Sequence, residues 1–282
     1  MRVVVTGATG TVGSHVVRQL VARGHAPVAA VRQPETRRLP DGAQRVAYDA
    51  TDPATFAGAV AGAEGLFLML PPGSGADLEG VIDAAEAAGV RRIAFLSVQG
   101  ASRNPLLPHR AVERRLEAGT AEALLLRASY FMQNLSEVHA DDVREGVIAV
   151  PAGRGETSFV DARDVADVAA AWLASETPPL GSGRAVPVEL TGPEALDYFE
   201  VADVLSDVLG RRVVYTRPGA VEFFRRERDR GVEAAFAGVM TGLYTSARLG
   251  FAGRLADGVE RALGRPPRAL RQFAEDYREV WA

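Results

Sequence analysis

The stretch Thr6-Gly7-Ala8-Thr9-Gly10-Thr11-Val12-Gly13 limits what this chain can fold into more tightly than any other. It follows Val3 to Val5, a β-branched, uninterrupted apolar run of the kind a strand buried on both faces requires. It leads into Val12, Val16, Val17, Leu20 and Val21, which recur at helical spacing, with Gly24 as a C-terminal stop. A glycine turn between a first strand and a first helix suits a dinucleotide pyrophosphate. Gly7 permits the tight turn, Gly10 lets the backbone approach the phosphates, and Gly13 lets the helix pack close to the sheet. The helix N-terminus then presents N–H groups and partial positive charge. Gly7, Thr9, Gly10, Thr11, Val12 and Gly13 are therefore candidate cofactor-binding residues; a glycine turn that binds nothing is the competing reading.

Apolar bursts and helical patterns alternate beyond this loop. Ala26 to Val31 reads as a second strand, Arg45 to Tyr48 as a third, and Asp52-Pro53 starts a helix through Phe56 and Val60. Gly65 to Leu70 is a fourth strand ended by Pro71-Pro72-Gly73, Asp77 to Ala88 a helix stopped at Gly89, and Arg92 to Ser97 a fifth strand. Leu107 to Ala118 is helical, and Ala123 to Ala128 and Val186 to Leu190 are further strands. Such alternation implies right-handed crossovers and a parallel sheet covered on both faces, an α/β doubly wound Rossmann-type architecture. Past Gly192-Pro193 come a helix from Tyr198 to Leu209, a short strand Arg212 to Thr216, and long arginine-rich helical stretches. The expected organisation is an NAD(P)-binding domain over 1–180, with strand 186–190 joining its sheet, and a smaller, mostly helical substrate-binding cap over 191–282. Thr177 to Gly183 is the most linker-like stretch.

An NAD site usually ends its second strand with Asp or Glu, to hold the ribose hydroxyls. This chain has Arg32 there, in Val31-Arg32-Gln33-Pro34, with Arg37 and Arg38 close behind. A guanidinium can bind a 2′-phosphate with two charge-assisted hydrogen bonds, whereas a carboxylate would repel it. NADP(H) is therefore the expected cofactor, against the plainer reading of a solvent-facing arginine at a strand end. Asp49 is placed to reach the adenine ring, and Leu70 and Pro71 to lie near the cofactor riboses.

Composition then removes whole chemistries. The chain has no cysteine, and all 32 residues of its Lys+Arg count are arginine. Disulfides, thiolate nucleophiles and Cys-ligated metals are excluded, as are Schiff-base lysines and any Tyr-Lys catalytic pair. Genome base composition would account for both absences, and the exclusions hold whatever the cause. The net charge of -4 argues against nucleic acid or anionic membrane as partner. The basic run Arg225, Arg226, Arg228, Arg230 is interrupted by Glu227 and Asp229, as on a solvated helix face. Met1 opens into a strand-like segment rather than a leader, and no apolar run approaches a membrane span, so a cytoplasmic protein is expected. His15, His25 and His139 lack the converging ligands a metal needs, and no metal is expected.

Several segments together resemble the NmrA-like branch of the atypical short-chain dehydrogenase/reductase superfamily. They are the glycine loop, Arg32, Asp49-Ala50-Thr51-Asp52-Pro53, Leu70-Pro71-Pro72 and Leu96-Ser97-Val98-Gln99-Gly100-Ala101. They continue with Tyr130-Phe131-Met132-Gln133-Asn134-Leu135, Ser158-Phe159-Val160-Asp161-Ala162-Arg163-Asp164-Val165-Ala166 and Gly264-Arg265-Pro266-Pro267. The resemblance implies an NADPH-dependent reductase acting on quinones, iminium ions or plant phenolics, or a cofactor-sensing regulator with no catalysis. It also marks a departure. Typical short-chain dehydrogenases pair a serine with Tyr-x-x-x-Lys. Ser97 is at the expected strand end, but His109-Arg110-Ala111-Val112-Glu113 stands twelve residues on, and His109 occupies the place where related phenolic reductases carry a lysine.

His109 and Glu113 lie one helical turn apart, so the carboxylate could hold the imidazole in one tautomer, or point to solvent. His109 is a candidate general acid, or it only touches the nicotinamide ribose or packs under the cap. Tyr130 could donate its phenol to substrate or serve as a core tyrosine. Phe131, Met132 and Asn134 are expected to line the nicotinamide pocket, and Ser97 to contact cofactor. Val221, Phe223, Phe224, Phe236, Met240, Leu243 and Tyr244 could furnish an apolar pocket in the C-terminal region or simply its core. The expected function is NADPH-dependent hydride transfer to a small conjugated electrophile, in a monomer or homodimer. The alternative is a non-catalytic NADP(H)-sensing protein that binds a protein partner.

Overall fold

The computed structural model describes residues 1–282 except 34, 36–38, 40–41, 72–74 and 182. Pro34, Arg37, Arg38, Pro72 and Gly73 thus lie outside the described residues. In chain order the strands are β1 Val3–Val5, β2 Val28–Val31, β3 Gln44–Ala47, β4 Gly65–Met69, β5 Arg92–Val98, β6 Glu122–Ala128, β7 Val147–Ile148, β8 Val186–Leu190 and β9 Val214–Tyr215. The first helices are α1 Thr11–Ala22, α2 Phe56–Val60, α3 Leu78–Ala87, α4 Pro108–Ala118, α5 Ala140–Arg144 and α6 Ala162–Ala174. They are followed by α7 Tyr198–Leu209, α8 Ala220–Asp229, α9 Ala234–Arg248, α10 Gly258–Leu263, α11 Leu270–Asp276 and α12 Arg278–Trp281. Among the described residues no helix is long and apolar enough to cross a membrane.

Two compact units emerge, each assembled from three pieces of chain. The first comprises Met1–Ala128, Ala162–Leu190 and Asp257–Pro266. Its seven strands run in the order β3-β2-β1-β4-β5-β6-β8, every pair parallel, which is the doubly wound sheet the alternating pattern implies. Chain order reverses between β1 and β4, the switch point where such sheets receive ligands. The inner strands β1 and β2 are buried throughout, whereas β3, Gln-Arg-Val-Ala at the sheet edge, is largely exposed. Local capping sets the starts of two segments: the Asp77 carboxylate caps α3 by accepting from the Gly80 amide at 2.8 Å, and the Asp52 carboxylate caps the 3-10 turn Pro53–Thr55 that leads into α2 by accepting from the Ala54 amide at 3.1 Å.

Helix α6, which the strand-and-helix pattern above did not include, completes the crossover from β6 to β8. Ten of its 13 residues are buried, Asp164 and Asp167 among them. The late segment around Arg265 belongs to this unit because its guanidinium donates to Asp164 at 2.8 Å and to Asp167 at 2.7 Å on α6. That ion-pair cluster links two widely separated segments of the family resemblance.

The second unit comprises Ser129–Asp161, Thr191–Ala256 and Pro267–Ala282. It is mostly helical, with one small parallel sheet of β7 and β9. Asp197 caps α7 through the Phe199 and Glu200 amides at 2.8 and 3.0 Å, Glu200 returns a bond to the Asp197 amide at 2.8 Å, and Gly210 ends the helix in the left-handed region. Its core holds Tyr198, Phe223, Tyr244, Phe273 and Trp281. The C-terminal apolar residues named above divide accordingly: Phe223, Met240 and Tyr244 are buried in this core, whereas Val221, Phe236 and Leu243 are exposed, so they do not line one pocket.

Candidate functional site

One side-chain hydroxyl and the backbone build the glycine loop. Thr6 ties it to the sheet: its hydroxyl donates to the Phe67 carbonyl at 3.1 Å and accepts from the Met69 amide at 3.1 Å. Gly7 turns in the left-handed region at φ 60°, and its carbonyl accepts from the Gly10 amide at 2.9 Å. A Cβ on Gly13 would stand 2.2 Å from that same Gly7 carbonyl oxygen. The need for glycine at 13 thus comes from the loop folding back on its own helix, where the sequence pointed to helix–sheet packing. Gly10 begins α1, and no side chain of the described residues caps it. Thr9, Thr11 and Val12 complete this uncapped first turn, a backbone cradle suited to an anion.

Arg32 is exposed at the end of β2. Asp49, after β3, accepts from the Thr51 amide at 2.9 Å and the Thr51 hydroxyl at 2.8 Å. Those bonds hold its carboxyl below the usual range, with help from the charge of Arg32. Arg32 and Asp49 are therefore neighbours at the end of β2 and β3, a cation and a fixed carboxylate. Leu70 and Pro71 follow β4, both half-buried. The donors and the uncapped turn fit a dinucleotide phosphate, and the guanidinium fits an additional phosphate on the adenosine ribose.

Around β5 the structure corrects the sequence reading. Ser97 and Arg127 face each other across β5 and β6, so both side chains project toward α4. There they meet Glu113, which is wholly buried. Ser97 donates its hydroxyl to Glu113 Oε1 at 2.7 Å, and Arg127 forks onto both carboxylate oxygens at 2.9 and 2.8 Å. Arg110 donates to Glu113 Oε2 at 3.2 Å while forking onto Glu117 at 2.6 and 3.1 Å. Burial pushes the Glu113 carboxyl up, and the bonds from Arg127 and Ser97 more than offset it, leaving it below its ordinary range. Glu113 therefore neither points to solvent nor orients His109, because its oxygens are taken by two arginines and a serine. Nor is the Ser97 hydroxyl proton free for a ligand. Arg127 was missed in the sequence; its signal was a charged residue inside the apolar run Ala-Leu-Leu-Leu of β6.

His109, in the first turn of α4, is half-buried, its ring tilted against Phe95 with centroids 6.2 Å apart. Its Nδ1 is buried with no protein partner among the described residues. Burial lowers its pKa and the Glu113 charge opposes that only in part, so the imidazole is neutral near pH 7. A neutral imidazole has one N–H to donate and one nitrogen to accept, which suits a hydrogen bond better than delivery of a stored proton.

The second unit holds the other candidates. Tyr130 donates its phenol to the Leu243 carbonyl at 2.6 Å and lies 3.0 Å from the Ser246 hydroxyl, and burial raises its pKa. That proton anchors α9, which is a different use from the substrate contact the sequence offered. Phe131 pairs with Val160 in an isolated bridge and starts the turn that carries Asn134, both half-buried. Met132 is 1% exposed and belongs to the unit's core, which corrects its expected place at a pocket wall. His139 is likewise committed, 2.5 Å from the Tyr244 hydroxyl.

Comparison with known proteins adds to this geometry. Residues 7–176 match the family described as NAD(P)H-binding. The chain is 32% identical over 282 residues to the NAD(P)H azoreductase of Xenophilus azovorans, covering 97% of this chain and 96% of that protein. It superposes on the NADPH-dependent quinone oxidoreductase of Escherichia coli complexed with NADPH, with a TM-score of 0.85 and 26% identity over the full length of both chains. A similar fit, TM-score 0.84 and 25% identity over 98% of this chain and 100% of the other, relates it to Citrobacter sp. triphenylmethane reductase complexed with NADP(H).

Proposed function

The chain belongs to the NAD(P)H-binding family of oxidoreductases, and from that premise we propose that it is an NADPH-dependent reductase of small, flat, conjugated electrophiles such as quinones, enones or iminium ions. The observation that carries the reading is the disposition of protons beside β5. Ser97 donates its hydroxyl hydrogen bond to Glu113, and His109 keeps a buried ring nitrogen without a protein partner among the described residues. Such a site can offer one hydrogen bond and little acid. It suits an acceptor whose own conjugation spreads the incoming electron pair, and an isolated ketone would need more proton assistance. The named activities of the relatives, on azo compounds, quinones and triphenylmethane, are consistent with acceptors of that kind.

NADPH, when bound, supplies a hydride from C4 of its nicotinamide. The backbone of Gly7, Thr9, Gly10, Thr11, Val12 and Gly13 holds the pyrophosphate against the uncapped start of α1. Arg32 takes the 2′-phosphate, Asp49 the adenine edge, and Leu70 and Pro71 flank the riboses. His109 donates its hydrogen bond to the acceptor heteroatom as negative charge develops there. For a quinone or enone, hydride plus one proton drawn from water through the imidazole completes the reduction; an iminium ion takes hydride alone. Ser97 acts at one remove, fixing the buried Glu113 of the helix that carries His109.

Stopped-flow mixing of the NADPH complex with a panel of quinones tests the proposal. NADPH oxidation well above the protein-free rate is the expected result. Tight NADPH binding with no oxidation by any acceptor would refute it in favour of the non-catalytic sensor.

A further inference from the structure

The second unit contains a cavity of about 1120 Å³ whose charged lining is almost entirely basic: Arg154, Arg217, Arg248 and Arg254 stand around it with Glu156 as the sole carboxylate among its lining residues. Every lining residue belongs to this unit, and none is part of the glycine loop. We propose that this cavity is a second anion site, one that takes a multiply charged phosphate group carried by a small molecule.

Three features argue that the guanidinium groups are held for a ligand. Arg154 is fixed from behind, its guanidinium 4.6 Å from the Phe199 ring centroid and 3.6 Å from the Asp197 carboxylate. Arg217 and Arg248 have no carboxylate within ion-pair distance among the described residues, whereas Arg127, Arg226 and Arg265 are each paired with a buried carboxylate. Arg217 also adopts φ 53°, the left-handed region that a side chain of its kind rarely occupies, so the surrounding chain keeps it where relaxation would move it. The wall itself is closely fitted: a Cβ on Gly155 would lie 1.9 Å from the Ala247 carbonyl oxygen, which seats the 153–155 loop directly on the end of α9 beside Arg248.

Planar guanidinium forks converging on one concavity match the oxygens of a phosphate in pairs. Arg217 and Arg248 bring like charge to one wall of the cavity, and a bound dianion or trianion offsets it. The neighbouring apolar surface is Leu249, exposed at the rim, which favours a phosphate borne on a partly apolar body.

The test uses the whole chain saturated with NADPH, so that the cofactor's own phosphate positions are occupied, and inorganic pyrophosphate as the probe. At constant ionic strength, pyrophosphate at ten times its dissociation constant is expected to raise the thermal midpoint by about 3 °C over a chloride control. Calorimetric affinity should fall tenfold or more in Arg248→Gln and in Arg217→Gly, the latter chosen because glycine accepts φ 53° and so preserves the fold. NADPH affinity should be unchanged in both, which separates this site from the cofactor site. A midpoint shift no larger than that of chloride, or pyrophosphate affinity unchanged in both variants, would overturn the proposal. Neither outcome bears on whether the chain reduces quinones.

Discussion

Both units bury ionisable side chains, and they settle the charge in opposite ways. In the first, Glu113 is wholly enclosed and every demand on it is met: Arg127 takes both oxygens, Ser97 and Arg110 add one bond each, and the carboxylate stays ionised. In the second, Asp142 receives Arg226 and Arg230 on one oxygen, each at 2.5 Å, while its other oxygen has no protein partner among the described residues. Glu227 Oε1 is buried without a hydrogen bond, Arg230 standing 3.8 Å away, and burial raises the pKa of its carboxyl. His139, completely enclosed, is pushed down to about 4 by burial, with Asp142 opposing and Arg226 and Arg230 adding to the shift. A saturated network resists both mutation of its surroundings and changes in pH, whereas a partly satisfied one makes its unit the place where acid acts first.

Removing one member of the saturated network gives the largest effect. Glu113→Ala removes both forked bonds from the buried Arg127 and leaves it only Glu189, 3.8 Å away, as counterion; it is expected to cost about 3 kcal/mol of stability, read by urea denaturation. Glu113→Gln should cost less, because the amide oxygen still accepts from Arg127. A Glu113→Ala loss below about 1 kcal/mol would show that the network does not brace the first unit.

Acid should strike the second unit next. The folded-state pKa of His139 lies below its unfolded value near 6.5, so the neutral form is the one the fold stabilises. Its contribution is fully present above pH 6.5 and is lost as pH falls through the window down to about 4, amounting to roughly 3 kcal/mol. Stability measured across that window should decline steeply in the native chain and more gently in His139→Phe. Identical slopes would remove His139 as the cause.

Smaller effects belong to the proposed chemistry. Arg32→Ala is expected to weaken NADPH binding by about tenfold to a hundredfold, the worth of a charge-assisted pair at about 1.5–3 kcal/mol. NADH binding should change little, and equal losses for both cofactors would refute the 2′-phosphate contact. His109→Ala should lower kcat about tenfold, the value of a single hydrogen bond near 1.4 kcal/mol, with KM for NADPH nearly unaffected. In the native enzyme kcat should stay flat between pH 7 and 9, because the imidazole is already neutral there. A fall in kcat across that range would mean that His109 acts as a charged acid.

Much of the first unit was legible because its signals are local. A β-branched run, a glycine turn and a helical stripe sit within the first two dozen residues, and β8 and α7 have the bounds that their patterns predict. Arg32 was readable from its place after a strand. Helix α6 was not: Asp164 and Asp167 look like a solvent-facing charge pair in the sequence, and only the folded chain buries them against Arg265 of a distant segment. The role of Glu113 was misread for a different reason. Sequence spacing offers His109 as its neighbour on α4, but Arg127 reaches it only through the register that sets Ser97 opposite Arg127 on adjacent strands. Strand register is a property of the assembled sheet. The split of the C-terminal apolar residues between core and surface likewise depends on which helix face turns inward, and the spacing fixes the period without fixing that choice.

The central claim is hydride transfer from NADPH to a conjugated acceptor, and isotopic substitution tests it most directly. In a single turnover with a quinone, NADPH carrying deuterium at the transferred position of nicotinamide C4 should be oxidised more slowly than unlabelled NADPH. Deuterium at the other C4 position should leave the rate unchanged. Equal rates for all three, or no oxidation of any by the enzyme, would contradict the account.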